Sequence, residues 1–247
     1  MPLRAFGPLF GQVHGAGAPR IVALHGWGRR GADFDRVLEG VDAVAFDLPG
    51  FGATPAPEAP MGTEGYAWVV LAALEEVGPG PFQLLGHSFG GRVAVQIAAD
   101  HPTLVSSLVL TGVPLVRRQS VSKPSLGYRL IRSAHRWRLV SDQRMESIRR
   151  SRGSADYRAV TGVMRDVLVT VVNESYEDQL GRVTCPVDLV WGENDTEVPV
   201  GVAERARAIL AESGTAVSMS VLPGVGHLTP SEAPDDLRAS LGEGRAT

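Results

Sequence analysis

Between an apolar run, Phe82 to Leu85, and a helix-like run, Gly90 to Ala99, the chain reads Gly86-His87-Ser88-Phe89-Gly90-Gly91. No other stretch restricts the fold as much. Five residues of the form Gly-x-Ser-x-Gly arise by chance, so the flanks carry the argument. A strand that reverses sharply into a helix strains the backbone of the apex residue and pushes its side chain out beyond the sheet edge. Side chains two positions before and two after the apex would collide, and Gly86 and Gly90 remove them. Gly91 lets the helix pack close to the strand. The plainer reading is a glycine-rich turn with an incidental serine. The chemical reading makes Ser88 a nucleophile.

A serine hydroxyl attacks poorly at neutral pH unless a base takes its proton, and the base needs an orienting group. On this type of elbow the partners follow in the order Ser, Asp or Glu, His. Asp195 lies in Trp191-Gly192-Glu193-Asn194-Asp195, just past the apolar run Val187 to Trp191. His227 lies in Gly224-Val225-Gly226-His227, just past Val217 to Leu222. Three chemically apt residues therefore follow three separate strand-like runs, at the strand ends where open α/β sheets place their sites. Glu193 is a second carboxylate near Asp195, and Asp47 precedes the elbow, where a turn-stabilising role suits it better.

These motifs, with His25-Gly26-Trp27-Gly28, the loop Asp47-Leu48-Pro49-Gly50-Phe51-Gly52 and the Asp195 to Val198-Pro199 spacing, resemble those of the α/β-hydrolase fold enzymes. The likeness runs from His25 to Val113 and from Cys185 to His227. It implies an α/β fold, a mostly parallel sheet with helices on both faces, and an inserted helical cap. Residues 1–114 and 182–247 would form the core and 115–181 the cap. It also implies that the backbone N–H groups of Trp27 and Phe89 form the oxyanion hole. His25 reads as a structural ring bonded within its loop, because His227 has the better claim to the base role. The His25-Gly26-Trp27-Gly28 motif is similar to that of the pimeloyl-acyl-carrier-protein methyl ester esterases, which recognise their carrier through basic cap residues. The elbow departs from that group, having His87 and Phe89 in place of its usual Trp and Leu.

Strand-like and helical segments alternate along the core, and each strand-like run is almost continuously apolar, as in a parallel sheet covered on both sides. Residues 2 to 19 suit an antiparallel pair at the sheet edge, with His14 exposed in the following turn. Short helices are expected over Gly31 to Leu38 and Pro230 to Leu241. The insertion reads as helices over Leu126 to Trp137, Asp142 to Arg152 and Ala155 to Asp166, the last open to continuation through Asn173. Fourteen basic and seven acidic residues between Arg117 and Arg182 give that segment +7, leaving −10 for the rest of a chain whose net charge is −3. One reading is a solvated face of ordinary charges. The other is a dock for an anionic carrier, a coenzyme A thioester or a substrate carboxylate, since opposed fields steer encounter. Candidate substrate contacts are Trp27, Phe89, Tyr128, Trp137, Met145, Met164 and Val198, each equally suited to core packing.

The chain has 247 residues and a slightly acidic balance, which argues against nucleic acid as a partner. No run is long enough to span a bilayer and the N-terminus lacks a signal peptide's apolar core, so the expected location is cytoplasmic. Cys185, the single cysteine, reads as buried filler beside Pro186. Zinc-ligand spacing, acidic metal cages and phosphate-cradling glycine motifs are not found, so no metal and no cofactor are expected. The combined expectation is a serine hydrolase that cleaves a small-molecule carboxylic ester or thioester through an acyl-enzyme. Alternatives on the same triad are a carbon-carbon bond hydrolase and a cofactor-free perhydrolase. A low-turnover ligand receptor is the alternative of another class.

Overall fold

The structure, a computed structural model, describes residues 3–116 and 155–242. Among the described residues, eight strands form one sheet: β1 (Leu3–Phe6), β2 (Leu9–His14), β3 (Ile21–Leu24), β4 (Ala43–Asp47), β5 (Phe82–His87), β6 (Val105–Thr111), β7 (Val187–Gly192) and β8 (Val217–Leu222). Their spatial order is β1-β2-β4-β3-β5-β6-β7-β8. The hairpin of β1 and β2 joins β4 antiparallel, and every pairing from β4 to β8 is parallel. The α-helices among the described residues are α1 (Thr63–Val77), α2 (Phe89–Asp100), α3 (Ala155–Ala159), α4 (Gly162–Val171), α5 (Glu177–Leu180), α6 (Val200–Glu212), α7 (Thr229–Glu232) and α8 (Pro234–Ala239). This is the α/β-hydrolase fold expected from the sequence.

Alternation along the strands divides the core into two layers. Val22, Leu24, Val44, Phe46 and Leu84 point to one side, where Val70 and Leu74 of α1, Val93 and Ile97 of α2 and Leu210 of α6 cover them. Ile21, Ala23, Ala43, Ala45 and Leu85 point to the other, against Phe34, Val37, Leu38 and Leu237 of α8. Each Val, Leu, Ile or Phe among them contributes roughly 1.5–3 kcal/mol when withdrawn from water. The continuous apolar runs follow from burial on both faces. β8 has one neighbouring strand and alternates toward solvent, with Ser218 and Ser220 exposed.

Several local expectations change. His14 is buried, because it ends β2 opposite Ala43 and the turn begins only at Gly15; its Nε2 lies 3.6 Å from Asp35. Burial lowers its pKa, against the pull of the Asp35 charge. Gly31 to Leu38 holds only a single 3-10 turn, Gly31–Phe34. Ala155 to Asp166 is divided between α3 and α4, since Thr161 is extended and Gly162 takes a φ of 58°. The closing segment is likewise two helices. Pro234 cannot donate an amide and disfavours the helical region for Ala233, which sits at φ −139°, ψ 57°. Cys185 is buried as expected, and burial pushes its thiol up to about 11. Tyr128, Trp137 and Met145, the two helices expected between Leu126 and Arg152, and the basic residues from Arg117 to Arg152 lie outside the described residues.

Candidate active site

Ser88 connects β5 to α2 at φ 49°, ψ −111°, the one described residue other than glycine with positive φ. Such a conformation costs about 1–3 kcal/mol and persists only where the surroundings enforce it. Here they do so tightly. A methyl group on Gly86 would overlap the backbone of Gly91, and one on Gly90 would overlap the carbonyl of Leu24. The Ser88 N–H donates to the Thr111 carbonyl at 3.0 Å, and the Gly90 N–H donates to the His25 carbonyl at 3.0 Å. Among the described residues, no backbone carbonyl accepts from the N–H of Trp27 or of Phe89. Gly26 holds the preceding loop against the elbow, since a Cβ there would lie 3.3 Å from that of Ser88.

Asp195 is positioned by its own turn. Its Oδ1 accepts the N–H of Glu197 at 2.9 Å and of Val198 at 2.7 Å. The buried Trp191 at the end of β7 donates its Nε1–H to the Val198 carbonyl at 2.8 Å and closes the loop. The spacing from the aspartate to Val198-Pro199 thus has a local cause: an aspartate bonding backbone N–H groups two and three residues on. Its other oxygen, Oδ2, lies 2.8 Å from His227 Nδ1.

The His227 loop is held from several sides. Glu232 accepts the N–H of Gly226 at 2.6 Å and of Leu228 at 3.2 Å, and Glu193 accepts that of Gly224 at 3.1 Å. Nε2 of His87, next to Ser88, donates to the His227 carbonyl at 3.0 Å, with the two rings 5.0 Å apart. Gly112 fills the remaining gap: a Cβ there would stand 3.0 Å from His227 Nδ1 and 3.3 Å from Asp195 Oδ2. The loops after β5, β6, β7 and β8 therefore meet at one place. His227 Nε2 faces Glu197 Oε2 at 3.6 Å, and no hydrogen bond joins His227 to the Ser88 hydroxyl.

Burial pulls the His227 pKa down, but the bond to Asp195 and the charges of Asp195, Glu197 and Glu232 outweigh it and raise it above 6.5. His87 is pushed the other way, to about 3, by burial and by the neighbouring His227. It is a neutral donor. His25 is also neutral, held near 4 chiefly by burial; Nδ1 donates to the Gly26 carbonyl at 2.7 Å and Nε2 accepts the Leu48 N–H at 2.9 Å. Asp47 accepts the N–H groups of Gly31 at 2.7 Å and Ala53 at 2.8 Å, which is turn stabilisation. Among the described residues, no group of three or more His, Cys, Asp or Glu side chains is placed to hold a metal ion.

A model of the alpha/beta hydrolase family matches residues 21–240. The chain belongs to that family. It is 30% identical over 215 residues to the pimeloyl-[acyl-carrier protein] methyl ester esterase of Chromobacterium violaceum, covering 78% of this chain and 82% of that one. It is 28% identical over 226 residues to a 2-hydroxy-6-oxononadienedioate/2-hydroxy-6-oxononatrienedioate hydrolase of Cupriavidus pinatubonensis, covering 77% and 75%. Among solved structures, a bacterial membrane phospholipase A superposes with a TM-score of 0.70 at 23% identity, over 94% of this chain and 80% of that one, a likeness of fold.

For this alpha/beta hydrolase, the expected contact residues separate. Trp27 and Phe89 pack edge to face at 5.4 Å in an aromatic group with Phe51 and Tyr66; Phe51 is 5.0 Å from Trp27, and Tyr66 4.9 Å from Phe89. Met164 is half-buried, its thioether against Gly50 of the Asp47 to Gly52 loop. Val198 is buried in the core, its N–H donated to Asp195 and its carbonyl accepting from Trp191 of β7. Sequence reasoning passed over Phe51, Tyr66, Glu197 and Glu232. Only Glu232 carried a readable signal, Thr229-Pro230-Ser231-Glu232, a helix-start pattern whose glutamate reaches back to preceding N–H groups. Among the described residues no helix is long and apolar enough to cross a membrane.

Proposed function

We propose that this alpha/beta hydrolase cleaves a carboxylic ester or thioester through an acyl-enzyme on Ser88. The Ser88 hydroxyl attacks the carbonyl while His227 Nε2 takes its proton. The Nδ1–H directed at Asp195 fixes the tautomer and stabilises the imidazolium. The tetrahedral oxygen is received by the N–H groups of Trp27 and Phe89, each worth a few kcal/mol of barrier. His227 then protonates the departing alcohol or thiol. Water, deprotonated by the same nitrogen, attacks the acyl-serine and releases the acid. The carrying observation is the Asp195–His227 pair at 2.8 Å, on a loop bonded through His87 to the strained elbow of Ser88. Nucleophile–base contacts commonly tighten only in the substrate complex, so an imidazole within reach of the elbow is the relevant criterion.

Residues 115–181 are proposed as the cap, whose basic side chains attract an anionic carrier or acyl group. The Chromobacterium relative, named for an acyl-carrier substrate, supports that reading. A second reading, carbon-carbon bond hydrolysis on the same residues, has the support of the Cupriavidus relative. The deciding experiment is a chain-length series of p-nitrophenyl esters beside acyl-CoA and acyl-carrier thioesters, with wild type and Ser88→Ala. Turnover of esters or thioesters lost in Ser88→Ala supports the first reading. Cleavage of a diketone-like substrate to acid and ketone, with simple esters untouched, supports the second. A preference for carriers that weakens with salt supports the basic dock.

A further inference from the structure

His227 lies between two peptide units that are each held at both ends. In the unit entering Gly226, the Val225 carbonyl accepts the N–H of Asn194 at 2.8 Å, and the Gly226 N–H donates to Glu232 Oε2 at 2.6 Å. In the unit leaving His227, the His227 carbonyl accepts from His87 Nε2 at 3.0 Å, and the Leu228 N–H donates to Glu232 Oε1 at 3.2 Å. Asn194 adjoins Asp195, and His87 adjoins Ser88. Glu232 is the side chain common to both units, and both of its oxygens go to backbone.

Its place is prepared locally. The Glu232 N–H donates to the Leu228 carbonyl at 2.9 Å, which folds the side chain back over the loop that precedes it. Pro230 within α7 and Pro234 after it stiffen the backbone on either side. A Cβ on Gly226 would crowd the carboxylate, at 3.2 Å from Oε2 and 3.3 Å from Oε1. The loop needs such a hold: Gly224 takes a φ of 74°, and with Gly226 it leaves the chain before His227 wide conformational freedom.

We propose that Glu232 is the positioning residue for the base: by bridging the peptide units that enter and leave this loop it fixes where the imidazole stands between Asp195 and Ser88. This rests on the hydrolase reading above and names a further residue for its reaction. Displacing a reacting group by about 1 Å can cost about 10²-fold in rate. Glu232 itself is exposed, where hydrogen bonds exchange readily with water and add little to stability. Its effect therefore falls on kcat rather than on folding. The same carboxylate adds to the field at His227. Burial lowers the titration of that ring, while Asp195, Glu197 and Glu232 together raise it above its ordinary value, with His87 beside it neutral. Removing the Glu232 charge lowers it.

The test uses the full chain with E232A and E232Q, the latter keeping the length of the side chain but offering one oxygen in place of two. Two reactions at Ser88 are followed: hydrolysis of p-nitrophenyl butyrate, and labelling by a fluorophosphonate, which reads attack by the serine whatever acyl group the enzyme prefers. The pH is set about two units above the His227 titration, so that the imidazole is neutral in every variant. We expect kcat to fall about tenfold in E232A and about threefold in E232Q, with KM moving less than about twofold and labelling slowed in proportion. Since His87 and Glu232 hold one peptide unit, combining E232A with His87→Leu is expected to fall short of the product of the single losses by about threefold or more. The acid limb of kcat/KM is expected to move to lower pH in E232Q. Unchanged kcat and labelling, a lowered melting temperature alone, or losses that multiply with that of His87→Leu overturn the proposal. Turnover or labelling that persists in Ser88→Ala, or the lack of both in wild type, instead overturns the hydrolase reading, and the role of Glu232 with it.

Discussion

His87 Nε2 lies 3.0 Å from the backbone carbonyl oxygen of His227, so the residue beside Ser88 holds the loop that carries the imidazole paired with Asp195. The donor is buried and neutral. Breaking it leaves a partly buried carbonyl without its partner, at about 1 kcal/mol. His87→Leu is therefore expected to lower kcat about tenfold or more with a smaller change in KM. His87→Gln, which presents an N–H at similar reach, is expected to recover much of that loss. Steady-state kinetics of both variants checks this, and equal losses would show that the bond is unimportant.

The Asp195–His227 pair carries a second expectation. Asp195→Asn leaves the Oδ1 bonds to Glu197 and Val198 available but presents an N–H where His227 Nδ1 needs an acceptor. In serine hydrolases with this arrangement such a change costs about 10⁴ in kcat. A loss of that order, with the melting temperature moving only a few degrees, is the expected result.

The pH profile should separate activity from stability. His227 titrates above 6.5, and in the proposed mechanism its neutral form is the base, so kcat/KM is expected to fall as pH drops through that raised value. Its contribution to stability has the opposite sense. A raised pKa in the folded state favours folding below the unfolded value near 6.5, and the gain disappears as pH rises through the folded pKa. A pH-rate profile beside thermal melts over pH 6 to 9 would reveal both trends.

Acid should unfold the protein through two other histidines. His25 and His87 are held near 4 and near 3, mainly by burial, whereas both titrate near 6.5 in the unfolded chain. The unfolded state therefore binds more protons between those limits, and stability is expected to fall by several kcal/mol as pH drops below 6.5. Chemical denaturation at pH 7, 5.5 and 4.5 measures the slope, and His87→Gln should reduce it.

Gly90→Ala tests the elbow itself. The added methyl would overlap the Leu24 carbonyl, a rigid backbone atom in the central strand β3. Overpacking of this kind typically costs about 1–3 kcal/mol. A lower melting temperature together with lost activity is expected, while Gly201→Ala on α6, where a Cβ meets only the tip of Glu204 at 3.9 Å, should be tolerated.

The parts of the site that were legible in the sequence are those with local causes. Ser88 stood out because its glycines answer to collisions within a few residues, and Asp195 because its turn is closed by bonds to its own neighbours. His25 and Asp47 were recognisable as turn-holding residues for the same reason. His14 was misjudged because its burial comes from β4 and Asp35, which follow it by more than twenty residues. Glu197 and Phe51 gave no signal, since what each touches is separated from it by a chain reversal.

The sequence by itself determined that strands and helices alternate, that a serine sits on a strained strand-to-helix turn, and that a carboxylate and an imidazole follow later strands. Hydrophobic period and glycine placement act over a handful of residues and can be read without coordinates. Only the tertiary structure decided that His87 grips the His227 loop, that Glu232 accepts two of its N–H groups, and that Glu197 faces Nε2. Those contacts depend on strand order and on how far each loop reaches past the sheet edge. Both arise from packing the whole core, and no local pattern encodes them.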